Sequence, residues 1–182
     1  EHHRAGIGVI LKFAPGSYMA RQEAFMKEAG RVDRDGTLYE RANVCASHPD
    51  VPVIGQAVGA SVMQVFGHSP AIQAAMIQSE IRDGTAPCFH DYDQRAFEAY
   101  AGSPIPAEVQ RRTGVNWQRL AGFPPERIIP ETHPLLTYYR WFWTVGDGWN
   151  AFHSSIHRGI KSTGRADVWT YHDPAVRVPS LW

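Results

Sequence analysis

Among the acidic residues of this chain, Glu80 stands where chemistry is easiest to arrange. It follows directly on Ala71 to Gln78 (AIQAAMIQ), an apolar run that reads as a short buried strand ending on Ser79-Glu80-Ile81-Arg82-Asp83. In a parallel α/β barrel the catalytic groups sit at the carboxyl ends of strands, so a carboxyl at this point would enter the mouth of the sheet. A carboxyl that donates a proton near neutral pH needs a raised pKa, supplied by burial or a neighbouring anion. Arg82 and Asp83 can set the charge and position of Glu80. The alternative is a surface pair between Glu80 and Arg82.

A second set of candidates lies downstream. Val168 to Tyr171 reads as a further strand, running into His172-Asp173-Pro174. Aromatic rings stack on the apolar faces of sugars while polar groups take the hydroxyls, so Trp169, Tyr171, His172 and Asp173 join Ser79, Arg82 and Asp83 as candidate substrate-binding residues. Core packing is the favoured account of any single ring. Asp173 is a strand-end acid, but an Asp before Pro also caps turns.

Other chemistries find less support. The histidines form no HExxH or similar tight set. His153 and His157 are four apart on one helical face, without an evident third ligand, so no metal site and no cofactor are expected. The two cysteines, Cys45 and Cys88, sit in no CxxC and make no disulfide framework, although they can pair with each other. No GxGxxG or GKS/GKT loop is present to cradle a nucleotide phosphate. Lys12 falls inside its strand, which disfavours Schiff-base chemistry.

The elements that must carry these residues alternate. Ile7 to Phe13 (IGVILKF) is a short apolar, β-branched run closed by the breaker Ala14-Pro15-Gly16. Met19 to Ala29 has helical periodicity with Gly30 as its cap, and Asp33-Arg34-Asp35-Gly36 is a turn. Ser47-His48-Pro49-Asp50 opens a helix whose apolar face is Val51, Ile54, Val58, Val62 and Val65, stopped by Gly67-His68-Ser69-Pro70. Asp91 to Ala101 is a helix closed by Gly102. Ser103 to Glu131, rich in Pro and Gly, reads as an insertion longer than ordinary connections. His133 to Trp143 and Trp149 to Lys161 are two more helices, with Thr163-Gly164-Arg165 ending the second. Strands separated by helices argue for a parallel α/β sheet. A closed (β/α)8 barrel needs about 250 residues, so the 182 residues read as a single segment of a TIM barrel, about strands three to five, or as a smaller open unit.

Composition agrees with one globular body. Apolar residues make up 43% and charged residues 20%, and 18 Lys plus Arg balance 18 Asp plus Glu. That neutrality leaves no basic excess for a nucleic-acid partner. No apolar run is long enough to span a bilayer, and Glu1-His2-His3-Arg4 opens no signal peptide.

The stretches Arg31 to Tyr39 (RVDRDGTLY), Cys45 to Pro49 (CASHP) and Phe66 to Glu80 (FGHSPAIQAAMIQSE) resemble the thermophile-type β-galactosidases of glycoside hydrolase clan A. HHRAGIGVILKFAPG is similar to that family's passage into the third barrel strand, and RWFWTVGDGWN (Arg140 to Asn150) to its following helices. The resemblance implies a retaining glycoside hydrolase acting on a β-linked sugar, with Glu80 as general acid/base. It also implies a nucleophile on a later strand beyond Trp182, about 5 to 5.5 Å from Glu80 in the folded enzyme. The family's Asn before the acid/base is Ser79 here, which has shorter reach to a sugar hydroxyl. The partners expected are a carbohydrate and the remainder of the barrel. The other readings are a non-catalytic carbohydrate-binding barrel, with Trp117, Trp169 and Tyr171 as stacking platforms, and a scaffold fragment whose aromatics are core.

Overall fold

Three apolar runs, too short for helices and bounded by Gly and Pro, pair into one sheet. The computed structural model describes residues 1–12, 14–40, 43–79, 86–110, 130–146 and 150–173. Strands β1 (Val9–Lys12), β2 (Ile72–Ser79) and β3 (Trp169–Asp173) are all parallel and lie in the order β1-β2-β3. Among the described residues six α-helices join them: α1 (Pro15–Met19), α2 (Glu23–Ala29), α3 (Asp50–Phe66), α4 (Asp91–Ala101), α5 (Pro134–Thr144) and α6 (Asn150–Lys161). The mixed α/β class and the single parallel sheet expected from the sequence are therefore present. β3 continues to Asp173, past the expected end at Tyr171, and β1 is described over Val9–Lys12, with Phe13, the expected last residue of that run, outside the described residues.

The sheet is covered on one face. Ile72, Ala75 and Ile77 of β2 pack with Val51 and Met63 of α3, Phe152, Ile156 and Ile160 of α6, and Val168. Sequential parallel strands joined by right-handed crossovers place their helices on the same side, which accounts for a single covered face. The register puts Ile10, Ala74 and Trp169 in one cross-strand row and Lys12, Met76 and Tyr171 in the next. Ile10 is 54% exposed and Trp169 is 78% exposed, so this second face is open. Gln73 is an extra residue between the Val9–Ile72 and Ile10–Ala74 pairs, a bulge that resets the alternation of β2.

Helix α3 presents a different face from the one its valines suggest. Val51, Gly55, Gly59 and Met63 are its buried residues, Ile54, Val58 and Val62 are half-buried, and Val65 is exposed. The reason is close helix–helix approach. A Cβ on Gly59 would strike the carbonyl oxygen of Ile156, and one on Gly159 would strike that of Gln56. Glycines rather than valines line the seam because the α3 and α6 backbones nearly touch.

Two other expectations shift. Pro15 follows β1 as the expected breaker and also opens α1, where its missing N–H costs nothing, and the expected Met19–Ala29 helix is instead the end of α1 followed by α2. Gly30 does cap α2, donating to the Met26 carbonyl, but with extended backbone rather than a left-handed turn. Gly102 and Gly164 have φ of 69° and 85° and close their helices in the left-handed region. Within the predicted insertion, Ile105 and Val109 are buried against Phe89, Phe97, Leu135, Tyr138, Trp141 and Phe142. This second core is largely aromatic and lies between α4 and α5; residues 111–129, the rest of that insertion and the site of Trp117, fall outside the described residues.

Candidate functional site

The carboxyl edge of the sheet carries two of the expected positions side by side. Ser79 is the last residue of β2, and its register partner is Asp173, the last residue of β3; His172 pairs one step earlier with Gln78. Glu80, Arg82 and Asp83 lie outside the described residues, so the edge is defined here by its backbone. The aromatic candidates divide. Tyr171 and Trp169 share the open face, but Trp169 opens β3 rather than closing it. At about 3.3 Å per residue it stands roughly 13 Å along the strand from Asp173. A sugar held at the carboxyl edge would meet Tyr171 well before Trp169.

A second constellation forms where the sequence pointed to none. The donor atoms of Cys45, Cys88, His90 and Asp93 all lie within 4.8 Å of one another. Cys45, Cys88 and Asp93 are buried, and the His90 side chain retains 20% exposure. Cys88 Sγ is 3.0 Å from His90 Nδ1, Cys45 Sγ is 3.3 Å from an Asp93 carboxylate oxygen, and His90 Nδ1 is 3.7 Å from that carboxylate. The edges of a tetrahedral zinc site with Zn–S of about 2.3 Å and Zn–N of about 2.0 Å are roughly 3.3 to 3.8 Å. The 3.0 Å contact lies below that range and the 4.8 Å spread of the set extends above it, so side-chain adjustment of about an ångström would be needed to close the four donors around one ion.

Electrostatics and the phenol next to it fit the same description. The Asp93 carboxylate, with the Cys45 sulfur next, raises the His90 imidazole to about 9. The Tyr92 hydroxyl lies 2.8 Å from His90 Nδ1, and burial pushes its pKa up, so it stays a neutral phenol. Ligation through Nδ1 requires Tyr92 to surrender that nitrogen, leaving its hydroxyl to donate to a neighbouring thiolate or carboxylate. Four protein ligands would fill a tetrahedron, the arrangement of closed structural sites.

Local structure explains how the four residues meet. Cys45 lies just before α3 at the end of a ribbon made by the Gly30–Val44 and Val32–Leu38 bridges. The segment before α4 lies along this ribbon. Arg31 Nη1 donates to the Ala86 carbonyl, Phe89 N–H donates to the Val32 carbonyl, and Val32 N–H donates to Cys88 Sγ. Asp93 sits in the first turn of α4, where a carboxylate also favours the helix dipole. Arg34 extends the ribbon's hold by donating to the carbonyls of Ile105, Pro106 and Val109, with its guanidinium 4.5 Å over the Phe89 ring.

The sequence led to no expectation of metal ligands, and these four side chains are a candidate set it did not single out. Cys88-Phe89-His90-Asp91-Tyr92-Asp93 places three ligand types at compact spacing against a helix start, a signal that a search confined to CxxC and HExxH patterns passes over. The fourth ligand, Cys45, is brought in only by the fold. His153 and His157 do not converge on a site: His157 Nδ1 lies 2.6 Å from Thr170 Oγ1, and neither belongs to a group of three ligand-type side chains among the described residues. Comparison with family models, curated proteins and solved structures gives no match for this chain.

Proposed function

We propose that this chain is the segment of a retaining (β/α)8-barrel glycoside hydrolase that supplies the general acid/base, Glu80, and acts on a β-linked sugar. The observation that carries the reading is the position of Glu80, next in sequence to the end of the central strand of an all-parallel sheet. Sequential strand order, helices on one face and an open second face support the barrel, because further strands would cover that face. Ser79 and Asp173, register partners at the ends of β2 and β3, are the proposed hydroxyl-binding residues, Tyr171 is the nearer proposed stacking ring, and Arg82, Asp83 and His172 belong to the same proposed set. The buried Cys45–Cys88–His90–Asp93 set favours a structural metal as part of the same reading. It would fasten the segment before α4 to the ribbon in front of α3.

In the mechanism Glu80 protonates the departing glycosidic oxygen while a carboxylate outside the 182 residues attacks the anomeric carbon. Glu80 then takes a proton from the water that releases the sugar. The 182-residue chain alone should therefore show no turnover of aryl glycosides above buffer; turnover would place the nucleophile within it. In the full enzyme, Glu80→Gln should slow substrates with poor leaving groups roughly 10² to 10⁴-fold and activated aryl glycosides far less in their first step. Azide, which needs no general base, should rescue the second step and yield a glycosyl azide. Equal losses on good and poor leaving groups, without azide rescue, would remove Glu80 from the role.

A further inference from the structure

We infer that Cys45 and Cys88 form an oxidisable pair: a two-electron oxidant of the peroxide class joins them in a disulfide and thereby dismantles the metal centre. The inference rests on the metal reading above and adds its regulation. These are the only two cysteines in the chain, and neither is in a disulfide. Their sulfurs belong to one group of donor atoms within 4.8 Å, although the residues come from separate segments, one before α3 and one before α4. A disulfide needs an S–S separation of about 2.05 Å, so the sulfurs, within 4.8 Å of each other, have less than about 3 Å to close once no metal ion stands between them.

Burial sets the order of events. Cys45 is fully buried and Cys88 is 2% exposed, but Cys88 adjoins His90, whose side chain is the part of the cluster open to solvent. Local opening at that edge admits a small oxidant to Cys88 first. The Cys88 thiolate attacks a peroxide oxygen, the O–O bond breaks, and a sulfenic acid and hydroxide result. The Cys45 thiolate then attacks the Cys88 sulfur, the S–O bond breaks, and a second hydroxide leaves. With two protons taken up the products are one disulfide and two waters, and the electrons come from the two sulfurs. His90 and Asp93 alone remain as ligands, too few to hold a structural ion.

Pairing competes with overoxidation, and the geometry favours pairing. A sulfenic acid at Cys88 has a thiol within the same cluster and little solvent, so the resolving step is intramolecular. The result is reversible by dithiols, which restore both ligands.

The test uses the intact chain, loaded with zinc under reducing conditions and freed of excess metal and reductant. Hydrogen peroxide is then added while a chromogenic chelator reports released zinc and mass spectrometry follows the peptides. The expected result is one zinc retained per chain before oxidation and none after. The chain should also lose two hydrogens, a Cys45–Cys88 cross-linked peptide should appear, and zinc binding should return after dithiol treatment. A reduced chain that retains no zinc would overturn the metal reading and this inference with it. A chain that holds zinc but forms sulfinic acids, intermolecular disulfides or no product at all would overturn this inference alone.

Discussion

The carboxyl edge of the sheet and the Cys45–Cys88–His90–Asp93 cluster are built from adjoining stretches of the chain, yet by opposite means. The edge is local: an apolar run forms β2, and whatever follows it is delivered to the rim. The cluster is tertiary. Cys45 and Asp93 meet across 48 positions of sequence only because the ribbon before α3 lies against the segment before α4. One region can lose a side chain and keep its shape, because the strand is held by its ladder and its covered face. The other has its shape set by the side chains themselves. Chemistry at the edge and structure in the cluster should therefore respond separately to mutation.

The largest separation should come from the metal. Zinc at about 1,000 times its dissociation constant should stabilise the chain by roughly 4 kcal/mol, read as a rise in thermal midpoint that a strong chelator abolishes. Cys88→Ser should remove most of that rise, while Glu80→Gln should leave it intact. A zinc-dependent shift that survives Cys88→Ser would erase the distinction between the two regions.

Next in size is the brace that supports the cluster from outside. Arg34→Ala deletes charge-assisted bonds to the carbonyls of Ile105, Pro106 and Val109 and uncovers Phe89. Its cost should be about 2 kcal/mol in chemical denaturation, since bonds to charged groups contribute about 1.5 to 3 kcal/mol. The loss should appear as faster amide exchange around Phe89 and Val109 and not along β2. Exchange that rises along β2 equally would show the edge and the brace to be one unit.

A smaller effect concerns pH in the metal-free chain. His90 is raised from its ordinary value of 6.5 to about 9, chiefly by Asp93. A group whose folded pKa is raised contributes stability in full below the unfolded value and loses it as pH climbs through the folded value. Stability of the chelated protein should therefore decline between about pH 6.5 and pH 9, and Asp93→Asn should flatten that decline. Bound zinc should do likewise, because a ligating imidazole carries no titrating proton at that nitrogen.

How far the sequence revealed each region follows from the same contrast. All three strands and α4, with its closing Gly102, follow from apolar runs and punctuation, because both signals are short-range. The seam of α3 did not, since Val51, Ile54, Val58, Val62 and Val65 describe a helical stripe as well as Val51, Gly55, Gly59 and Met63 do. Only the partner helix, arriving backbone to backbone at Gly59 and Gly159, selects between them. For the cluster, Cys88, His90 and Asp93 are legible once a mixed ligand set is allowed, whereas Cys45 needs the ribbon to fold first. Trp169 was grouped with Asp173 by closeness in sequence, but extension along a strand carries them to opposite ends of β3.

Trp169 also offers the smallest and most discriminating expected effect. It is 78% exposed on the open face, in one row with Ala74 and Ile10. A side chain that meets mainly water gives up little when truncated, so Trp169→Ala in the 182-residue chain should change stability by no more than about 0.5 kcal/mol. In a full barrel the same ring would lie under further strands, and the same truncation should cost roughly 3 to 5 kcal/mol, as for buried aromatics generally. The pair of measurements, one on the 182-residue chain and one on the proposed full barrel, thus reports whether that face is an interior. A cost that is large in the segment and grows with protein concentration would mean that copies of the chain cover the face for each other. Small costs in both would leave the sheet open, and the barrel, with the rim that is meant to hold the sugar against Glu80, would have to be abandoned.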